Sequence, residues 1–139
     1  AISTVRSLAQ KLAPALPAKR FQVASLEQLP FEAAAFEVVL SNAVLHFAPD
    51  EATFWTMLRE LWRVLAPGGT LVINLKDHIR DGLVVGVCAA WGLMLETVGF
   101  LPTGGEVVPV RGDQNRSRDR SKGLPTIDIE HVLVFRKPA

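Results

Sequence analysis

Hydrophobic residues in the first half of the chain follow two different spacings. Residues 3–12 place Val5, Leu8 and Leu12 three or four positions apart, which predicts a helix with one buried face. Residues 36–40 are almost continuously apolar, which predicts a central strand covered on both faces. Further apolar runs predict strands at residues 21–24 and 70–75. Helices and strands are therefore expected to alternate along the chain.

A second helix is predicted to begin after Pro49. Asp50 is a favourable N-cap residue, because its carboxylate accepts hydrogen bonds from the first free backbone amides of a helix. The apolar side chains that follow at helical spacing are Phe54, Leu58, Leu61 and Leu65. The Pro-Gly-Gly sequence at residues 67–69 is expected to end this helix, because glycine adopts the left-handed conformation of a helix cap.

The second half of the chain repeats this alternation. A polar loop at residues 76–82 precedes an apolar stretch that predicts a helix reaching about Val98 and closed by Gly99. Two more strands are predicted at residues 106–110 and 131–135. Alternating strands and helices are typical of a mostly parallel sheet with helices on both faces, in which ligands bind at the carboxyl ends of the strands.

Composition narrows the classes of protein that this chain can belong to. Its 139 residues suit one domain, and a net charge of +1 gives no whole-molecule attraction to nucleic acid or to an anionic membrane. Cys88 is the single cysteine, so an internal disulfide is excluded and a reducing, cytoplasmic location is expected. The three histidines share no metal-ligand spacing, so we expect no metal site. We also expect no membrane span.

Two segments carry a resemblance to a known family. The sequence RVLAPGGTLVI at residues 63–73 resembles the post-helix turn of class I S-adenosylmethionine-dependent methyltransferases, and SLEQLPF at residues 25–31 is similar to the segment upstream of it. The resemblance implies an α/β fold with a Rossmann-like, mostly parallel sheet that ends in an antiparallel hairpin. It also implies that residues 1–139 form a single partial domain, which supplies the third to seventh strands of the family.

The part of the family domain that has no counterpart here is the N-terminal one. This sequence carries no glycine-rich first loop, on which the family seats its cofactor, S-adenosylmethionine. We therefore expect a truncated or degenerate methyltransferase that binds the cofactor poorly and whose methyl acceptor is unknown.

The resemblance also implies a set of site residues. The positions similar to those around the cofactor are Ser25 and Leu26 near adenine, and Ser41, Asn42 and Leu45 near the methionine part. Asn42 and His46 are expected near the transferred methyl group as catalytic residues. For His46 the alternative is a half-buried polar residue at a strand end.

A substrate site is predicted in the loop that follows the strand at residues 70–75. Asp77, His78 and Arg80 lie just beyond the carboxyl end of this strand, where functional residues concentrate. The alternative is a solvated loop with local ion pairs, which contribute little to stability.

Two other functions remain open. Residues 74–82 and 130–138 resemble the late part of DNA amino-methyltransferases, although Ser41-Asn42-Ala43-Val44 stands where those enzymes have a proline-proline-aromatic turn. A basic stretch at residues 111–122 could contact phosphates, or form a solvated loop.

The chain could instead be a non-catalytic assembly module. Without the family's first two strands the edge of its fourth strand would be open, so pairing with a second copy or with a missing N-terminal segment is expected.

Overall fold

The computed structural model describes residues 2–81, 83–109, 122–123, 126–127 and 129–139. The helices within these residues are α1 (Ile2–Leu12), α2 (Glu51–Val64) and α3 (Val87–Val98). The strands are β1 (Phe36–Asn42), β2 (Leu65–Leu75), β3 (His78–Arg80), β4 (Leu83–Val85), β5 (Leu101–Pro109) and β6 (Ile129–Arg136).

The main sheet of the described part has the strand order β1-β2-β6-β5. β1 and β2 are parallel, with Val38 opposite Thr70, whereas β6 runs antiparallel to both β2 and β5. The predicted α/β fold is therefore confirmed, including the parallel neighbours at residues 36–40 and 70–75 and the C-terminal hairpin. β3 and β4 form a separate small hairpin. β3 lies within the predicted loop, whereas β4 occupies the start of the apolar stretch that was predicted to be a helix, and α3 begins only at Val87.

The hydrophobic core lies between the sheet and the helices α2 and α3. α2 begins as predicted, since the Asp50 carboxylate accepts a hydrogen bond from the Thr53 amide at 2.7 Å. Its buried side chains are Phe54, Met57, Leu58, Leu61 and Val64. α3 ends at Gly99, whose φ of +117° is the left-handed conformation that glycine tolerates. No helix of the described part is both long and apolar enough to cross a membrane.

The prediction that the Pro-Gly-Gly sequence caps α2 is wrong. The helix ends at Val64, and the strand β2 already begins at Leu65. Gly68 has a φ of +72°, and its amide donates to the carbonyl of Lys137 at 3.0 Å. A Cβ on Gly69 would lie only 2.8 Å from the carbonyl oxygen of Ala66. The two glycines therefore bend the start of β2 and bring it against the C-terminal tail.

Two apolar faces that were predicted to be buried are open. Val5, Leu8 and Leu12 of α1 are 45%, 54% and 76% exposed, because no element in the described ranges packs over them. In the sheet formed by the described strands β1 lies at the edge, and on one face its Val38 and Leu40 are exposed. These segments adopt the predicted secondary structure but not the predicted burial.

Residues 21–24 do not form the predicted strand. The chain that follows them is fixed by two charged side chains of α2 instead. The Glu60 carboxylate accepts a hydrogen bond from the Leu29 amide at 2.7 Å, and the Arg63 guanidinium donates to the carbonyl of Phe31 at 2.8 Å. Glu60 and Arg63 also pair with each other at 2.6 Å. This network holds residues 29–31 against the C-terminal half of α2.

Candidate functional site

A cleft of about 480 Å³ lies at the carboxyl ends of β1 and β2. Because the two strands are parallel, their final residues, Asn42 and Asn74–Leu75, meet at the same edge of the sheet. The described residues that line the cleft are Asn42, Ala43, His46, Asn74, Leu75, Lys76, Asp77, Trp91 and Glu130.

The first wall of the cleft is the turn after β1. Ala43 has a φ of +52°, a left-handed conformation that costs a residue other than glycine roughly 1 to 3 kcal/mol. Its amide donates to the carbonyl of Asn74 at 3.3 Å, which ties the two strand ends together. A short 3-10 turn, Leu45–Phe47, follows. Its Leu45 is only 1% exposed and anchors the turn in the core, so the exposed His46 faces the cleft.

Ser41 immediately precedes this turn and is buried, with 5% exposure. Its hydroxyl oxygen has no hydrogen-bond partner within the described residues. A buried polar group without a partner costs free energy, and such groups are rare in folded proteins. The hydroxyl lies directly before the turn that forms the first wall, although Ser41 is not among the described residues that line the cleft.

The second wall comes from β2, β6 and the residues after β2, and its charged side chains are Lys76, Asp77 and Glu130. Asn74 donates a hydrogen bond from its side-chain nitrogen to the Glu130 carboxylate at 3.2 Å. Asp77 accepts one from the Cys88 backbone amide, at the start of α3, at 3.0 Å. Trp91 of α3 closes this side and packs against Phe54, with their ring centroids 4.9 Å apart.

Burial and hydrogen bonding set the protonation of the groups on this wall. Burial alone would raise the pKa of Asp77, but hydrogen bonds from Cys88 and the nearby His131 outweigh it and lower the pKa below its ordinary value. Burial, together with the neighbouring Asp77 carboxylate, raises the pKa of the Cys88 thiol to about 12. At neutral pH Asp77 is therefore ionised, whereas Cys88 is a thiol.

The structure brings some of the predicted site residues together and separates others. Asn42, His46 and Asp77 line one cleft, and Ser41 and Leu45 are buried beside it. Ser25 is exposed in a turn, where its hydroxyl donates to the Glu27 carboxylate at 2.6 Å, and Leu26 packs against the core. Neither is among the described residues that line the cleft.

The predicted roles of His78 and Arg80 concern side chains outside the described part of the structure. Their backbone belongs to β3.

Six of the nine residues that line the cleft were not predicted as site residues: Ala43, Asn74, Leu75, Lys76, Trp91 and Glu130. Asn74 and Lys76 lie at the end of a predicted strand, so the rule that placed Asp77 at the site would have found them as well. Trp91 carries no such signal, because an aromatic residue in an apolar helix is typical of a core. Glu130 reaches the cleft only through the antiparallel register that sets β6 beside β2.

Comparison with known proteins identifies the family. Residues 2–73, just over half of the chain, match the family described as "Methyltransferase domain". The chain belongs to this methyltransferase-domain family. It is 32% identical over 120 residues to the 27-O-demethylrifamycin SV methyltransferase of Amycolatopsis mediterranei. The match covers 86% of this chain but only 40% of that relative.

Solved structures share the fold of this methyltransferase domain at low sequence identity. The [4+2]-cyclase SpnF is 18% identical with a TM-score of 0.68, and the match covers 99% of this chain and 63% of that one. The 1,6-didemethyltoxoflavin-N1-methyltransferase of Burkholderia thailandensis is 21% identical with a TM-score of 0.63, and 96% and 56% of the two chains are covered. That structure holds S-adenosylhomocysteine, in line with the S-adenosylmethionine dependence of the family.

Proposed function

We propose that this chain is part of an S-adenosylmethionine-dependent methyltransferase whose acceptor binds in the cleft at the ends of β1 and β2. The observation that carries the proposal is the convergence of Asn42, His46 and Asp77 on this cleft in a chain of the methyltransferase-domain family. A volume of about 480 Å³ suits a small organic molecule. The relative from Amycolatopsis mediterranei is also named for a small-molecule acceptor. We therefore propose a small-molecule acceptor here.

The residues at the end of β1 fit the reacting end of the cofactor. The buried Ser41 hydroxyl has no partner in the described part of the chain, and the strained Ala43 backbone turns the following residues toward the cleft. When bound, the cofactor supplies a methyl group that its sulfonium already activates, so the protein's main task is alignment.

Asn42 and His46 perform different tasks in this proposal. Asn42 hydrogen-bonds the methionine part of the cofactor and orients the acceptor through its side-chain amide, which both donates and accepts hydrogen bonds. His46 is exposed to the cleft and its ring packs against Phe47 at a centroid distance of 4.1 Å, which limits its rotation. A histidine held in this way is suited to take a proton from the attacking atom of the acceptor.

Binding of the cofactor by these 139 residues tests the proposal. Ser25 and Leu26, the residues matched to the adenine site, do not line the cleft with Asn42, and the sequence has no glycine-rich first loop. We therefore expect binding weaker than low micromolar by calorimetry. In a nitrogen-15 labelled sample, S-adenosylmethionine should shift the backbone amide signals of residues 41–46 and 77 and leave those of β5 unchanged.

A matched pair of variants sharpens this test. Asn42→Ala should weaken the affinity for S-adenosylmethionine about fivefold, which is the loss expected for one hydrogen bond. Thr103→Ala, an exposed substitution on β5 at the other edge of the sheet, should leave this affinity unchanged. If no signal shifts, or if both variants bind equally, the cleft is not the methyl-transfer site.

A non-catalytic assembly module is the second candidate function, and the open edge of β1 favours it. β1 pairs on one side only within the described sheet, and Val38 and Leu40 are exposed on its face. We propose that this edge pairs with another strand, supplied either by a second copy or by polypeptide outside these 139 residues.

A cytoplasmic location is supported by the single, buried and unpaired Cys88. The basic stretch at residues 111–122 that suggested a nucleic-acid partner lies outside the described residues, apart from Lys122.

A further inference from the structure

Three side chains with different metal-binding atoms converge at the second wall of the cleft. They are Asp77, Cys88 and His131, and their ligand atoms all lie within 4.8 Å of one another. The three residues are up to 54 positions apart in the sequence, so no short sequence motif predicts the cluster.

The topology of the fold explains the convergence. The antiparallel register places His131 of β6 directly opposite Leu75, the last residue of β2, and Asp77 follows two residues later. Cys88 lies in the first turn of α3, and its backbone amide binds one carboxylate oxygen of Asp77 at 3.0 Å. The other carboxylate oxygen lies 4.0 Å from Nε2 of His131. One carboxylate oxygen of Asp77 thus links the residues after β2 to the start of α3, and the other faces His131.

We propose that Asp77, Cys88 and His131 form a binding site for Zn²⁺. A carboxylate, a thiolate and an imidazole are all ligands that Zn²⁺ accepts, whereas Mg²⁺ and Ca²⁺ prefer oxygen alone. Binding forms a bond from the cation to Sγ and releases the thiol proton to solvent. The two negative charges of Asp77 and the thiolate then balance the charge of the cation.

The required movement is small. In a tetrahedral Zn²⁺ site with bonds of about 2.0 to 2.3 Å, ligand atoms are separated by about 3.3 to 3.8 Å. The present separations of up to 4.8 Å must therefore shrink by roughly 1 Å, which side-chain rotation supplies. Three protein ligands leave a fourth position open, as in catalytic rather than structural zinc sites. Because Asp77 also lines the cleft, the cation would lie next to the bound acceptor.

Cobalt substitution tests the proposal, because Cys88 is the only cysteine in the sequence. Titrating the 139-residue chain with Co²⁺ should produce one equivalent of binding with the near-ultraviolet charge-transfer band of a cobalt-thiolate bond. This band reports on Cys88 alone and needs no variant. A bound Co²⁺ without the band, or no binding, would overturn the proposal. Zn²⁺ should then displace the Co²⁺ and abolish the band.

Variants provide an independent check by equilibrium dialysis with Zn²⁺ alone. His131→Gln and Cys88→Ser should each weaken binding by more than about 100-fold, since loss of an outer-shell partner alone costs 10- to 100-fold. His46→Gln removes a histidine on the opposite wall of the cleft and is the matched control, for which affinity should not change. Equal loss in all three variants, or retention in all three, would place the cation elsewhere. The outcome does not depend on methyl transfer, so it is separable from the proposed function.

Discussion

At the scale of single residues, the pairing of Glu60 with Arg63 links stability to pH. The hydrogen bond from Arg63 lowers the pKa of Glu60 below its ordinary value of 4.5, against the opposing effect of burial. A carboxyl group whose pKa is lowered by folding contributes stability that is fully present above its unfolded pKa. That contribution is lost as the pH falls through the folded pKa.

The substitution Glu60→Gln should therefore lower the free energy of unfolding at pH 7, and its effect should shrink as the pH falls from about 5 to 3. Urea denaturation at a series of pH values measures this difference. Glu37→Gln, which removes an exposed carboxylate on β1, is the control and should change the free energy of unfolding only slightly at neutral pH. A difference between wild type and Glu60→Gln that stays constant down to pH 3 would show that the ion pair does not contribute.

Two glycines respond to an added methyl group in opposite ways. In Gly69→Ala the new Cβ meets the Ala66 carbonyl oxygen and a Leu65 methyl carbon, both at 2.8 Å, so we expect a loss of about 1 to 3 kcal/mol. In Gly92→Ala the Cβ meets nothing within 4 Å, and alanine favours the helix α3 by about 1 kcal/mol. Thermal denaturation should therefore give a lower Tm for the first and a higher Tm for the second. Equal shifts would contradict the bend at the start of β2.

At the scale of the elements, α1 and α2 have similar sequence patterns but different surroundings. Leu58 of α2 has no exposure, whereas Leu8 of α1 is 54% exposed. We expect Leu58→Ala to cost about 2 to 5 kcal/mol, because it opens a cavity in the core. Leu8→Ala should change the free energy of unfolding by no more than about 0.5 kcal/mol. Denaturant titration of both variants compares one chemical change on two helices, and similar losses would mean that α1 is covered after all.

This comparison shows what local sequence can and cannot predict. The N-cap Asp50, the end of α3 at Gly99 and the strands at residues 36–40 and 70–75 were correctly predicted, because capping and periodicity are properties of a few neighbouring residues. The burial of α1 and β1 was not, since it depends on which element packs over each face. The contribution of Glu130 to the cleft and of His131 to the cluster with Asp77 and Cys88 depends on strand register across more than 50 residues of chain.

At the scale of the whole molecule, the open edge of β1 predicts self-association. Leu40 is 68% exposed on this strand, and Leu93 is 67% exposed on α3. Because the two leucines are almost equally exposed, a substitution of Leu93 is a matched control for the same substitution of Leu40. Leu40→Lys should reduce association measured by light scattering, because a charged residue on an edge strand disfavours pairing with another strand. Leu93→Lys should leave it unchanged. A chain that is monomeric at all concentrations, or one for which both variants behave alike, would exclude association through β1.

The order of strands in the sheet also constrains how the chain folds during its synthesis. β6 comes last along the sequence among the six described strands, yet it lies between β2 and β5. Until the ribosome has made residues 129–136, β5 has no neighbour in the main sheet and β2 has only β1. A nascent polypeptide stalled before this point would therefore leave one edge of β2 and both edges of β5 without a strand partner, and unpaired strand edges of this kind are prone to aggregation.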